Sequence, residues 1–362
     1  MKVLWGPLDQ TSLGLEQAII CIWIPWSPKA PHVHRSGIIY RRISEASEPF
    51  AENDRFILDE LFKRSDSIIS EYKKWVETDP DFTEEEKKHP YLRLLISADL
   101  WNQRDVWLGL SINDVRKIFN PDDVKITMPF DSIHTTSSGF VARQLKNNDP
   151  STFTATWYLN KNLKSEILIP ISYYSCDDPL NILDGLKGYA FINEFIDILK
   201  KYKFKSININ ILDINLLLLS ILGIIEINKE ILKAAKWNLP YYIKIKILNG
   251  NRHIPFLDIK QVITFYEKSG IPVLLKTSMS SDYKSHPDSF IELKPDTDTE
   301  TTYPSNNSLL IFFYIISALG ISILEDNIDE QGVIGKLISD TLSAANRAIE
   351  AQRLHNLQPL DA

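Results

Sequence analysis

Apolar and β-branched positions along the chain fall into short runs separated by turn-forming residues, and only some of the runs have a helical period. Residues 18–24, "AIICIWI", read as a strand that Pro25 closes, because proline cannot donate to a ladder. Residues 37–43, "GIIYRRI", read as the next strand, with neither face cleanly apolar. After Phe50, the residues Ile57, Leu58, Leu61, Phe62, Ile68, Ile69, Tyr72 and Trp75 keep near-helical spacing, which predicts one long helix with its weak point at "RSDS". Residues 77–90, "ETDPDFTEEEKKHP", are acidic, contain two prolines and are nearly free of apolar side chains, so they read as a linker.

Beyond that stretch, "YLRLLISA" predicts a strand and "SINDVRKIF" a short helix capped by Ser111 or Asn113. "VKITMPF", "GFVARQL", "FTATWYL" and "SEILIPISYY" then predict a run of antiparallel strands. Residues 186–202 have the helical period, 241–248 ("YYIKIKIL") alternate strictly, 256–270 read as a helix stopped by Gly270, and 271–277 as one more strand. Residues 333–354 form an amphipathic helix with Ile334, Leu337, Ile338, Leu342, Ala345 and Ile349 on one side, suited to its own core or equally to a partner. The expected fold class is α+β. Its expected parts are an N-terminal α/β unit over 1–76, the linker 77–90, a mixed α+β domain over 91–278, a polar loop over 279–308 and a C-terminal helical segment over 309–362.

At 362 residues the chain is long enough for two or three cores. A net charge of −7 argues against a surface coated in basic residues for non-specific nucleic-acid binding, though local patches stay open. The two cysteines, Cys21 and Cys176, make no disulfide framework and no C-x-x-C pair, so a reducing cytoplasm is the expected location. The start of the chain lacks the pattern of a signal peptide. Two charge-poor segments, 207–228 and 302–324, are read as buried core, because a spanning helix needs roughly 20 continuous apolar residues.

Residues 19–65, "IICIWIPWSPKAPHVHRSGIIYRRISEASEPFAENDRFILDELFKRS", resemble the closing half of the Schlafen-type AlbA domain, a family described as DNA-binding or, in many bacterial members, ATP-binding. The features that carry the resemblance are Pro25, Ser27, Ala30, Pro31, His32, Ile39, Tyr40, Arg42 and Ser47, followed by the helix "ENDRFILDELFKR". The family's preceding half, with its "A-F-A-N-t-x-G-G" turn and the metal-binding carboxylates of its ribonucleases, has no counterpart between Met1 and Ala18. The resemblance therefore implies a truncated or remodelled domain in a bacterial cytoplasmic protein, with nucleic acid as partner and ATP only by the family's description.

Between Ser27 and Ile43 the chain carries Lys29, Arg35, Arg41 and Arg42, with His32 and His34, and no acidic residue. Such a corner suits phosphate oxygens, and arginine adds planar bidentate contacts. The competing reading pairs these cations with Glu45, Glu48, Glu52 and Asp54. His32 and His34 form an H-x-H that lacks a third metal ligand nearby. Trp101, Trp107, Trp157, Tyr158, Tyr173 and Tyr174 read as core aromatics rather than a base-stacking platform, because no lysine or arginine interleaves them.

No G-x-x-x-x-G-K-[ST] loop, G-x-G-x-x-G turn or G-x-S-x-G elbow occurs, so no catalytic residue and no cofactor is evident. "DGLKGY", 184–189, reads as a helix cap or a small anion-binding turn. Asp177 and Asp178, ahead of Pro179, read as a turn. The leading expectation is a non-catalytic nucleic-acid-binding protein that uses Lys29, His32, His34, Arg35, Arg41 and Arg42. The alternatives are an interaction or scaffold protein that docks or self-associates through 333–354, and a nucleotide-binding protein or nuclease whose catalytic half lies upstream of Met1.

Overall fold

The computed structural model describes residues 2–4, 21–23, 31–41, 48–100, 109–120, 130–144, 154–176, 186–201, 209–275, 278–280, 289–295, 305–322 and 333–357. The fold is α+β, with helices beside mainly antiparallel sheets. The chain divides into two compact units, one built mostly of Met1–Thr78 and the other of Asp79–Leu100, Asp105–Lys284 and Asp288–Ala362.

In the first unit, β1 (Lys2–Leu4) pairs antiparallel with β2 (Cys21–Trp23). β3 (Tyr40–Arg41) pairs antiparallel with β4 (Phe50–Ala51). Helix α1 (Arg55–Glu77) begins where the Asp54 carboxylate accepts the Phe56 N–H at 2.8 Å, satisfying one of the free donors of the first turn. It runs unbroken through "RSDS" and stops before an extended Thr78, two residues ahead of Pro80.

The second unit is built on a sheet whose strands follow β5 (Tyr91–Ser97), β6 (Ser132–Thr135), β7 (Gly139–Arg143), β8 (Thr156–Asn160) and β9 (Lys164–Pro170). A three-stranded sheet takes β10 (Tyr173–Cys176), β11 (Ile209–Asp213) and β13 (His253–Phe256), with β11 antiparallel to β10 and parallel to β13. In the large sheet the order is β14 (Ser278–Ser280), β12 (Tyr241–Leu248), β5, β9, β8, β7, β6, and β15 (Ile291–Leu293) pairs with the other end of β12. Strands β6 to β9 are consecutive hairpins, which the turn residues between them permit.

The helices of this unit are α2 (Ile112–Phe119), α3 (Ile192–Lys201), α4 (Leu217–Ala234), α5 (Lys260–Ser269), α6 (Asn306–Ala318) and α7 (Val333–Leu357). α4 is apolar around nearly its whole circumference and is accordingly central, packed against α2, α6 and α7. One continuous core joins Leu92, Leu94, Ile96, Trp157, Ile243 and Ile245 of the sheet to Ile221, Ile224, Ile225, Ile311, Ile315 and Leu337 of the helices. No helix among the described residues is long and apolar enough to cross a membrane.

Several expectations change. Residues 79–90 are not a free linker: Phe82 stacks on Tyr91 with ring centroids 4.7 Å apart, and the Asn249 side-chain amide donates to the His89 carbonyl at 3.0 Å. The polar stretch 279–308 contains β15 and the first turn of α6, and the helices of 309–362 share the core of the second unit rather than forming a part of their own. The predicted strand 271–277 is irregular over 271–275, where Leu274 pairs its N–H and carbonyl with His253 and Arg252 outside any ladder. The predicted strand 124–130 lies, except for Phe130, outside the described residues. α2 follows its predicted cap, with Ser111 and Asp114 in a reciprocal capping box.

The strict alternation of β12 suggests one solvated face, yet Lys244 and Lys246 are both buried. Lys246 stands opposite Arg93 in the register, and acidic or polar oxygens compensate this row of cations. Arg93 pairs with Glu166 at 2.8 Å, Lys246 with Asp79 at 3.7 Å, and Lys244 donates to the Ser289 hydroxyl at 3.0 Å.

Candidate functional sites

The basic corner of the first unit is a tight hairpin over 31–41. Val33 and Ile39 form an antiparallel bridge, the His34 N–H donates to the Ile38 carbonyl at 2.9 Å, and Gly37 takes the positive φ of 80° that closes the turn. His32, His34 and Arg35 are exposed on it, with His34 bonded to the Ser36 hydroxyl at 2.8 Å and set edge-on to Tyr40. Arg35 makes no ion pair among the described residues.

Arg41 is a correction to the expected cationic ridge. Its Nε donates to Glu52, whose carboxylate is buried and also accepts the Asp54 N–H at 2.9 Å. A buried carboxylate needs a cation, so Arg41 is committed to the start of α1 rather than free for phosphate. Lys29 and Arg42 lie outside the described residues. Among the described residues no group of three or more His, Cys, Asp or Glu is placed to hold a metal ion, and His32 and His34 gain no third ligand.

The expected core aromatics divide. Trp157 is fully buried and stands edge-on to Phe119 and Phe130, at centroid distances of 5.1 and 6.0 Å. Tyr158 is exposed, while Tyr173 and Tyr174 are half-buried. Trp101, Trp107, Asp177 and Asp178 lie outside the described residues.

A second locus, within the second unit, was not singled out by motif. Asp258, just before α5, is fully buried and accepts four contacts or passes them on. The Ala190 and Phe191 N–H groups donate to its carboxylate at 2.9 and 2.8 Å. This explains why α3 begins at Ile192 and not at 186. The segment 184–189, expected as a cap or an anion-binding turn, is described from Leu186 on, and the two N–H groups that hold the Asp258 carboxylate belong to Ala190 and Phe191, just beyond it. Arg347 of α7 donates through Nε to Asp258 Oδ2 at 2.5 Å and through Nη2 to the Asp258 carbonyl at 2.6 Å.

The network runs inward. The Asp258 N–H donates to Asn215 Oδ1 at 2.7 Å, and Asn215 donates from its N–H and its amide to Asp213 at 3.0 and 2.7 Å. The Tyr189 hydroxyl donates to Asp213 at 2.5 Å. Burial holds the Asp213 carboxyl above its usual range, against the hydrogen bonds that favour its charge, and the Asp258 charge adds to the rise. Burial likewise pushes the nearby Tyr174 hydroxyl up to about 12. Arg347 thus neutralises Asp258, while Asp213 is held by Tyr189 and Asn215 instead of by a cation.

Outside Asp258 lies a cleft of about 720 Å³ between α5, α7 and the turn before α3. Lys260, Thr264 and Lys268 recur along one row of α5, while Lys336, Asp340, Ser343 and Arg347 line the α7 side. Gln261 donates to Asp340 at 2.7 Å across the cleft, and its carbonyl oxygen is buried without a hydrogen bond. Asp258 meets Arg347 and Gln261 meets Asp340, so α5 and α7 run antiparallel, and Lys268 and Lys336 belong to the same end. Both carboxylates of the lining are engaged, whereas Lys260, Lys268 and Lys336 make no ion pair among the described residues. The aromatic part of the lining is Phe191 and Phe265.

The sequence signal for this cleft was a polar row on each of two predicted helices, which reads equally as a solvated face. Of the predicted apolar side of the C-terminal helix, Leu337 and Ala345 are buried, Ile338, Leu342 and Ile349 are half-buried and Ile334 is exposed, while Ala344, Ala348 and Ala351 complete the buried face. Compared with known proteins, the chain matches no family model, no curated protein and no solved structure.

Proposed function

We propose that this protein is a non-catalytic binding protein whose second unit holds a small organic anion, of the phosphate-monoester class, in the cleft between α5 and α7. The observation that carries this reading is the set of three unpaired lysines around a cleft whose carboxylates are already satisfied, in a chain of net charge −7. All three are exposed, and a cleft lined by charge of one sign raises the local concentration of anions. The volume of about 720 Å³ suits a small ligand, and Phe191 and Phe265 offer its apolar part a surface.

Adenosine monophosphate is a suitable probe, because it joins a dianion to a ring system. Titration calorimetry at low salt should give a dissociation constant in the micromolar range, weakened at least tenfold in K268A/K336A. Absence of heat at millimolar nucleotide, or equal affinity in the double variant, overturns the reading.

Nucleic-acid contact through the hairpin over 31–41 is a second reading, favoured by the exposed Arg35, which makes no ion pair among the described residues and follows two exposed histidines. It rests on fewer cations than the sequence offered, since Arg41 is engaged. R35A should weaken binding of a mixed-sequence oligonucleotide and flatten its salt dependence. Undetectable binding by the intact protein at low salt removes this reading.

A further inference from the structure

A separate notch of about 380 Å³ lies at the C-terminal end of α4. Lys229, Lys233 and Lys236 line it, over a floor that includes Leu232, Trp237 and Tyr241, and among the described residues no carboxylate is part of its lining. Lys233 and Lys236 are exposed and make no ion pair among the described residues, while the indole of Trp237 is half-buried and donates to the Pro240 carbonyl at 3.3 Å.

Two explanations of these lysines can be weighed. Lysines in the last turn of a helix complement the negative end of its dipole, and that is sufficient for Lys233. It is not sufficient for Lys236. The Trp237 N–H donates to the Leu232 carbonyl at 2.8 Å and the Lys236 N–H to the Lys233 carbonyl at 3.0 Å, the bonding of a helix stop that places Lys236 in the left-handed region with φ of 54°. Glycine is the residue that occupies this position without strain. A lysine there keeps a long cationic side chain at a backbone cost, and that side chain borders a notch floored by an indole and a phenol.

From this combination we infer a binding site for a small aromatic anion, a ring system bearing one carboxylate, sulfate or phosphate, with the rings on Trp237 and Tyr241 and the charge between Lys233 and Lys236. The volume accommodates two or three fused or linked rings. This site is independent of the cleft between α5 and α7.

The test uses 8-anilinonaphthalene-1-sulfonate as the probe and the full chain as the protein, with fluorescence titration and thermal unfolding read on the same variants. K236G should raise the midpoint of unfolding, because glycine relieves the positive φ, and should weaken the probe at least fivefold. K233A should weaken it by a similar factor, in the wild-type background and in the K268A/K336A background alike. Probe binding that is absent in the wild type, or equal in K236G, K233A and the wild type, overturns the inference. So does a fall in the unfolding midpoint of K236G, because Lys236 would then be held for structure rather than for a ligand.

Discussion

The Arg347 guanidinium and the Asp258 carboxylate, 89 residues apart in sequence, meet at 2.5 Å, and the same guanidinium reaches the Asp258 carbonyl at 2.6 Å. This clasp fixes α7 against the start of α5 and, through the Ala190 and Phe191 N–H groups, against the start of α3. Removing its cation should leave a buried carboxylate uncompensated, at a cost of roughly 3–5 kcal/mol for a fully buried pair. Arg347 keeps some solvent contact, so R347M should lose about 3 kcal/mol in urea unfolding. The double variant D258N/R347M should recover part of that loss, because no charge is then stranded.

Asp213 should give the protein a pH dependence of the less usual sign. Its pKa is raised in the fold, so between the unfolded value and the folded one the native state binds more protons than the unfolded state. Its stabilising contribution is then complete below the unfolded pKa of about 4 and is lost as pH rises through the folded value. The groups that face it are Tyr189, Asn215 and, at longer range, Asp258 and Tyr174. Stability of D213N relative to wild type should therefore improve as pH rises above about 4. An unchanged difference between the two proteins counts against a raised pKa at Asp213.

Trp157 fills the core between Phe119 and Phe130, yet its buried indole N–H has no acceptor among the described residues. W157A should cost about 3–5 kcal/mol through the cavity it leaves. W157F should cost less than half of that, because it keeps an edge-to-face ring and removes an unsatisfied donor. Chemical denaturation of both variants checks the ratio.

Asn228 is buried on α4 with an amide nitrogen that has no hydrogen-bond partner among the described residues. N228M replaces that amide by an apolar side chain of good helix propensity and should raise stability by about 1 kcal/mol. A destabilised variant would show that the Asn228 carbonyl oxygen carries more than the nitrogen loses.

Local patterns made much of the fold readable. The long helix from Asp54, the Ser111 cap, the Gly270 stop and the strands around "YLRLLISA" and "YYIKIKIL" all follow from period and punctuation. Burial of Lys244 and Lys246 was hidden, because it depends on Ser289 and Asp79, which are distant in the chain. The start of α3 was missed for the same reason, as its first donors are claimed by Asp258. The cationic corner was visible as charge, but the choice of Glu52 among four nearby acids as the partner of Arg41 required coordinates. The α5–α7 cleft left no motif, because its members lie on two helices whose polar rows look ordinary one at a time.

The clasp also imposes an order on biosynthesis. At about 5–20 residues per second a ribosome needs roughly 4–18 s to add the stretch between an aspartate and the arginine that neutralises it. During that interval the carboxylate has no counterion and resists desolvation, so collapse around it is deferred. The nascent second unit should thus stay protease-sensitive until its last helix emerges, and then close in a single late event.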